Sequence, residues 1–450
     1  MEHKIIDRLA NGTYIDSKIF LDRHLLDKGT MSQIRQLIQH EAVEKSRFMP
    51  DCHRAKACCV GFTSKLNEKI VPKFIGNDIG CGILTFPLPF QITDLPALEK
   101  LIRDNIPMGG LVTEVSKPIW DTPVVTDVDM EWAYKESQYD ACQFIVKYKE
   151  KFGISIGEFC PTYSKDWFLE LCKKTDSDYE YIVRTLCTLG GGNHYCECNR
   201  SAQECIDYVT IHSGSRSIGD HVYMYHQKKI NDTYDFDYQE YKHKVKQFER
   251  KSRVAKDIKA YKDALKEEFI NAKHTDYLEG PEAYEYYFDM IFCQAVARLN
   301  RRMMLKRILS ALKVEYDEDK IIESIHNYID FNDFIIRKGA IQAHENQMVI
   351  ISLNMRDGIV LARGKGNEDW NYSSAHGSGR MIARNEVANK ISMKEFRESM
   401  TGVYSTSVVP EVLDECPMAY KDTEVIKAAL QNTVTIIEQL KPIINVKALN

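Results

Sequence analysis

The stretch Ala375-His376-Gly377-Ser378-Gly379-Arg380 sets one imidazole among residues with almost no side-chain bulk. A histidine packed for stability needs bulky neighbours. One set beside glycine and serine is presented to something that comes very close, such as a metal ion or a phosphate. Three other segments have the same character: Gly192-Asn193-His194, Ile211-His212-Ser213-Gly214-Ser215-Arg216 and Ile325-His326-Asn327. Any one of these histidines, taken alone, reads first as a hydrogen-bonded structural residue. Four of them in Gly, Ser and Asn contexts read as a ligand set.

Upstream, Asn77-Asp78-Ile79-Gly80-Cys81-Gly82 puts a carboxylate and a thiol on one glycine-rich turn, where both can reach a single centre. With His194, His212 and His326 this makes a set of one Asp, one Cys and three His. Imidazole suits first-row transition ions, carboxylate favours the harder ones, and one thiolate can bridge two of them. Paired CxxC spacing is missing from the sequence, which excludes a zinc-finger module. Cys58-Cys59 and Cys196/Cys198 read as core or loop thiols. Gly190-Gly191-Gly192-Asn193 and Ser213-Gly214-Ser215-Arg216 are phosphate-cradle material, because glycine lets backbone N–H groups approach an anion and Arg adds a charged fork. Tight turns between strands are the plainer reading of either one. Neither a GxxxxGK[ST] loop nor a strand-led GxGxxG is present, so any nucleotide is bound without those units.

Around these motifs the composition is that of a globular protein: 450 residues, 44% hydrophobic and 28% charged. The net charge of -5 argues against a general nucleic-acid coat but leaves room for a local basic groove. No apolar run is long enough for a bilayer, and Met1-Glu2-His3-Lys4-Ile5-Ile6-Asp7 lacks the apolar core of a signal peptide. The 13 cysteines follow no disulfide framework, so reduced thiols and a cytoplasmic location are expected. Ile70–Ile75, Gly82–Pro87, Tyr208–His212, Met348–Ser352 and Gly358–Ala362 read as strands. Leu95–Ile106, Asp129–Phe152, Pro281–Leu312 and the tail Thr423–Leu440 read as helices, and about 237–272 as one long charged helical stretch. Strands at both ends with helices inserted predict an α+β fold, and the site residues come from both halves. A single domain over 1–450 is therefore expected.

In this order the segments resemble one family, the RtcB-type RNA ligases. These are GTP- and manganese-dependent enzymes that join RNA 3′-phosphate or 2′,3′-cyclic phosphate ends to 5′-hydroxyl ends. The matching segments run from Met49-Pro50-Asp51-Cys52-His53 through those above, Asn300-Arg301, Arg337-Lys338-Gly339-Ala340 and Ala419-Tyr420-Lys421-Asp422. The resemblance implies mixed sheets around a dimetal site with peripheral helices. It implies two Mn2+ ions held by Asp78, Cys81, His194, His212 and His326, with Cys81 bridging. His376 would be the nucleophile that takes GMP from GTP, and Asp51 would orient or protonate groups beside it. Asn193, His194, Glu197, His326, Asn327, Asn354, His376, Gly377, Ser378, Gly379 and Lys421 would line the guanylate site, with Lys421 and Arg380 compensating phosphoryl charge. RNA, cleaved tRNA or another broken strand, is the implied partner.

For RNA contacts, the densest basic run is Lys242 to Lys266, and Lys246, Arg250, Arg253 and Lys256, with Arg216, are the candidates. A solvated helix face is the plainer reading of that run. The sequence departs from the family in two places. Arg54-Ala55-Lys56-Ala57-Cys58-Cys59 replaces a glycine-rich run, and Ser352-Leu353-Asn354-Met355-Arg356 replaces a Pro-Gly-Ser-Met-Gly loop. Two other readings stand beside the ligase: a dimetal phosphoesterase that only opens cyclic ends, and an RNA-end-binding factor without turnover. Because ligand and nucleophile imidazoles must be unprotonated, activity is expected to fall as pH drops through ~6.5.

Overall fold

A computed structural model describes residues 3–5, 16–56, 58–109, 124–233, 238–251, 255–271 and 276–449. Its centre is a seven-stranded sheet in the order Ile322–Ile325, Gly82–Pro87, Asp207–Ser213, Tyr195–Arg200, Val434–Val446, Gly358–Gly364, Met348–Asn354. Asp207–Ser213 is buried at every position, as a strand covered on both faces must be. A six-stranded sheet contains Glu44–His53 and Val60–Lys65 in its middle and ends on Ile335–Lys338 and Asn327–Asp330. The chain passes from one sheet to the other through His326, between Ile322–Ile325 and Asn327–Asp330. The fold is α+β, as the strand and helix patterns predict.

Register sets the site. Ile83 pairs with His212 and Tyr195 pairs with His212, so the strands after Cys81 and His194 flank the strand that carries His212. The backbone N–H of His326 donates to Cys81 O at 2.9 Å. Ala340–Gln342 pairs with Ser373–Ala375, which delivers His376 at its end.

The helix Gly280–Ala311 is largely buried and packs on Asp127–Phe152 and on Asp207–Ser213. Two polar residues on it tie down the ligand loops. Asn300 Nδ2 donates to Ser213 Oγ and Gly214 O, both at 3.1 Å. Arg301 Nη1 donates to Gly80 O at 2.8 Å and Ser213 O at 2.7 Å, while its Nε donates to Glu323 at 2.6 Å. Burial alone would raise the Glu323 carboxyl, yet Arg301 and Arg302 hold it at about 2.

Three sequence expectations change. Ile70–Ile75 is not one strand: pairing stops after Lys69–Ile70, and Pro72, which has no N–H to give a ladder, opens a 3-10 turn Pro72–Phe74. The tail is helical only over Thr423–Leu430, and Val434–Val446 is a central strand whose β-branched Val434, Thr435, Ile436 and Ile437 favour extended backbone. The stretch at about 237–272 is two helices, Tyr238–Lys251 and Ala255–Asn271. They fold back on each other, with Phe248 stacked on Tyr261 at 4.1 Å between ring centres. The helix read from Asp129 starts at Asp127, where Thr126 and Asp129 form a capping box, and ends at Gly153 with φ 72°. Among the described residues, no helix is long and apolar enough to cross a membrane.

Arg337 joins the six-stranded sheet to the strand Ser373–Ala375 that precedes His376. It is fully buried, pairs with Asp330 at 3.2 Å and Asp333 at 2.5 Å, and donates to Ser373 Oγ at 2.9 Å. Removing the cation strands two buried carboxylates, which costs about 3–5 kcal/mol. Chemical denaturation of Arg337→Ala should show a loss of that size, and a loss under about 1 kcal/mol would mean the carboxylates find other partners.

Candidate active site

Five ligand-type side chains converge. Cys81 Sγ lies 3.4 Å from His194 Nε2 and 3.3 Å from His212 Nε2. His194 Nε2 is 2.9 Å from Asp78 Oδ2, and His212 Nε2 is 3.2 Å from His326 Nε2. They form two overlapping groups, Asp78-Cys81-His194 and Cys81-His212-His326, with Cys81 in both. Glycine makes the approach possible: a Cβ at Gly214 would fall 1.9 Å from Asp78 Oδ1.

These contacts fit cations. His194 Nδ1 is 2.9 Å from the carbonyl oxygen of Leu189, which can only accept, so Nδ1 carries a proton and donates it. Nε2 then points a lone pair at the Asp78 carboxylate unless a positive charge, a proton or a metal ion, lies there. His212 and His326 bring two more Nε2 atoms to the same thiol. Separations of 2.9 to 3.4 Å suit donors that share an ion bound at about 2.0–2.3 Å. Burial first, then neighbouring imidazole charge, pushes His212 and His326 well below the usual histidine range, which keeps them as neutral ligands. Burial and the Asp78 charge push the Cys81 thiol up. Burial would raise Asp78, but His194 and the hydrogen bonds from His194 and Cys81 hold it below the carboxylate range. A third cluster, Asp330, Asp333 and His344, already holds the Arg337 guanidinium and has no need of an ion.

His376 stands beside this cluster, its ring 4.8 Å from that of His326. Its Nδ1 donates to Asp51 Oδ2 at 2.6 Å. The same oxygen accepts from the backbone N–H of His376 at 3.2 Å and of Gly377 at 3.3 Å. Asp51 is fully buried, and its Oδ1 has no partner. The clamp fixes the tautomer and leaves Nε2 as the open ring nitrogen. Gly379, at φ +69°, is required here, since a Cβ would lie 2.0 Å from Asp51 O.

A cleft of about 1120 Å3 opens over both features. It is lined by Asn193, Glu197, His326, Asn327, Asn354 and His376 to Gly379, all expected from the sequence, and by Asp78 and His212. Of the other expected residues, His194, Lys421 and Arg216 do not line it, and Arg380 lines it but is already paired. Lys421 is buried behind the His376 loop, where Nζ donates to Cys52 O at 2.6 Å. It faces a smaller cavity of about 380 Å3 shared with Arg356 and Asp422. Arg380 is spent on Glu415 at 3.2 Å and on Asp414 O at 2.6 Å, so it braces the loop. Arg216, at φ +61°, donates to Thr188 Oγ1 at 3.2 Å and does not line the cleft. Lys246, Arg250 and Lys256 are exposed on the helical hairpin away from the cleft lining, and Arg253 lies outside the described residues.

Sequence reading missed one wall of the cleft. Asn445 donates to Glu197 Oε2 at 2.6 Å, leaving the buried Oε1 of Glu197 unpartnered. Burial pushes Glu197 up to about 7, against hydrogen bonds from Asn445 and Asn199 and the Lys447 charge. Lys447 Nζ donates to Gly192 O at 3.1 Å, His194 O at 3.3 Å and Glu415 at 3.1 Å. Tyr195 OH and Ser352 Oγ meet at 2.7 Å across the cleft. Asn445 and Lys447 lie beyond the tail helix read over Thr423–Leu440 and carry no motif of their own, so only the strand Val434–Val446 brings them to the cleft.

The sequence model described as "tRNA-splicing ligase RtcB" matches residues 33–448. The chain belongs to the RtcB family. It is 28% identical over 425 residues to "RNA-splicing ligase RtcB" of Escherichia coli K12, covering 89% of each chain. It is 23% identical over 483 residues to "tRNA-splicing ligase RtcB" of Methanococcus maripaludis, covering 94% of this chain and 91% of that one.

Metal analysis of Cys81→Ala and His194→Ala, purified identically, should show Cys81→Ala losing the most metal, because it belongs to both ligand groups. Equal retention in the two variants would remove its bridging role. A thiol with a raised pKa must release its proton on binding, whereas His212 and His326 are already unprotonated. Metal affinity should therefore rise about tenfold per pH unit between about pH 6 and 8; a flat profile would contradict the thiol as a ligand.

Proposed function

We propose that this chain is a GTP-dependent RNA ligase that joins 3′-phosphate or 2′,3′-cyclic phosphate ends to 5′-hydroxyl ends, in RNA repair or tRNA splicing. The observation that carries this reading is the Asp51 clamp on His376 Nδ1 at 2.6 Å, which leaves Nε2 free beside a dimetal ligand set. The phosphoesterase and binding-factor readings leave that clamped imidazole without a task.

His376 Nε2 attacks the α-phosphorus of GTP. An N–P bond forms, the bond to the bridging oxygen breaks, and its electron pair leaves with pyrophosphate. The ring gains positive charge, which the Asp51 carboxylate stabilises through Nδ1. A 3′-phosphate oxygen of RNA then takes the GMP from Nε2, and the 5′-hydroxyl displaces GMP to make the phosphodiester. A cyclic end is first opened by water at the same centre. Two manganese ions held by Asp78, Cys81, His194, His212 and His326 would supply Lewis acidity toward the phosphate oxygens. Glu197 offers a buried acceptor to the N–H donors of a guanine edge, and Asn193, Asn327 and the Gly377 to Gly379 backbone line the phosphates' approach. The 13 free thiols accord with a cytoplasmic location. The exposed cations of the hairpin, Lys246, Arg250 and Lys256, would meet RNA far from the joined ends.

His376→Ala should abolish the covalent GMP adduct and sealing while leaving the denaturation midpoint near that of the wild type. An adduct at the wild-type level would place the nucleophile elsewhere. Replacing Lys246, Arg250, Arg253 and Lys256 by Glu should weaken binding of long RNA and flatten its salt dependence, with guanylylation untouched. Unchanged affinity at low salt would remove the hairpin from the RNA path.

A further inference from the structure

Most of the positive charge in the cleft is already committed. Besides His212, His326 and His376, seven basic residues line it: His53, Arg54, Lys56, Lys338, Arg380, Arg384 and Lys447. Lys338 Nζ donates to Ile75 O at 2.8 Å. Arg380, Arg384 and Lys447 converge on Glu415 at 3.2, 2.5 and 3.1 Å. His53 is half-buried against Asp51 O, and desolvation with the Lys421 charge pushes it down to about 3, so it stays neutral. Arg54 and Lys56 differ: both side chains are exposed and, among the described residues, make no ion pair.

Their backbone is held in place. Between them, Ala55 is clamped to the helix Lys28–Leu37 by Gln33, whose Nε2 donates to Ala55 O at 2.6 Å and whose Oε1 accepts from Ala55 N at 3.2 Å. The Arg54 stem lies over Gly29, where an added Cβ would come within 2.8 Å of Arg54 Cδ. Two cations are thus carried on a braced loop at the cleft wall. Asn77 and Asp78, beside the ligand cluster, line the same cleft, whereas the Glu197-Asn445-Lys447 wall is built from other elements. In the sequence, this is the loop where Arg54 to Cys59 stands in place of the family's glycine-rich run.

We propose that Arg54 and Lys56 grip the phosphodiester backbone of the RNA strand next to the end being joined. The proposal rests on the ligase reading above. Two exposed cations on a braced loop neutralise backbone phosphates without reading bases, so the contact positions the end and leaves sequence unselected. It also separates this contact from the hairpin, which would hold RNA at a distance. The competing source of phosphate charge is the pyrophosphate part of GTP, and the steps tell the two apart.

The test uses the full chain with R54Q/K56Q and the charge-keeping R54K/K56R. Covalent GMP transfer from GTP and manganese, measured without RNA, should equal the wild type in both. If the wild type itself forms no adduct, the ligase reading fails on its own account, whatever the RNA data show. Binding of a short single strand with a 3′-phosphate should weaken in R54Q/K56Q. The slope of log affinity against log salt should become shallower by about 0.7 per lost contact, roughly 1.4 for the pair. R54K/K56R should keep the wild-type slope. An unchanged slope in R54Q/K56Q, or an equal loss in R54K/K56R, overturns the proposal. A fall in guanylylation that tracks the charge overturns it too, and assigns the pair to pyrophosphate.

Discussion

The bond from His376 Nδ1 to Asp51 is the constraint around which the His376 side of the cleft is arranged. One carboxylate oxygen takes the ring proton and two backbone N–H groups, so the imidazole, its peptide and the next residue are fixed by a single buried group. That demands room. Gly61, at φ +80°, gives way beside Asp51 Oδ1, and Gly379 passes against Asp51 O where a Cβ would not fit. It also demands bracing from behind. Lys421 ties the far loop to Cys52 O, and its backbone N–H donates to Gly379 O at 2.9 Å. Lys421 is thus also a strut for the loop that carries His376.

The ligand side obeys a different rule. Buried imidazoles stripped of charge, a thiol pushed up and a carboxylate pressed toward a third imidazole make a cluster rich in lone pairs, costly to hold together without cations. The fold supplies rigid support through Asn300 and Arg301, whose hydrogen bonds end on the backbone of the two ligand loops. Such a site is preorganised by the long buried helix, which itself offers no ligand.

What could be read from sequence follows from how local each signal is. The histidines sit in Gly, Ser and Asn contexts that announce close approach, and Cys81 shares a turn with Asp78, so the reactive centre is legible within short windows. Strands such as Gly82–Pro87 and Gly358–Gly364 are legible for the same reason. The opposite wall is not. Asn445 and Lys447 reach the cleft only because Val434–Val446 enters the sheet between Tyr195–Arg200 and Gly358–Gly364, and Glu415 comes to Lys447 from the 3-10 turn Pro410–Glu415. Sheet neighbours that distant are chosen by tertiary packing, which overrides local pattern. Arg380 shows what a motif alone does not carry: a cation beside it reads as a phosphate ligand, while its pairing with Glu415 and Asp414 O is visible only in the fold.

The central claim is that Asp51 prepares His376 for attack on GTP. The direct measurement is the rate of GMP-adduct formation by Asp51→Asn, with metal content determined on the same preparation. An amide of the same shape presents an N–H or a neutral oxygen to Nδ1 and no longer stabilises the charged ring. The account predicts a rate lower by about 100-fold or more at unchanged metal content. A wild-type adduct rate in that variant would contradict it.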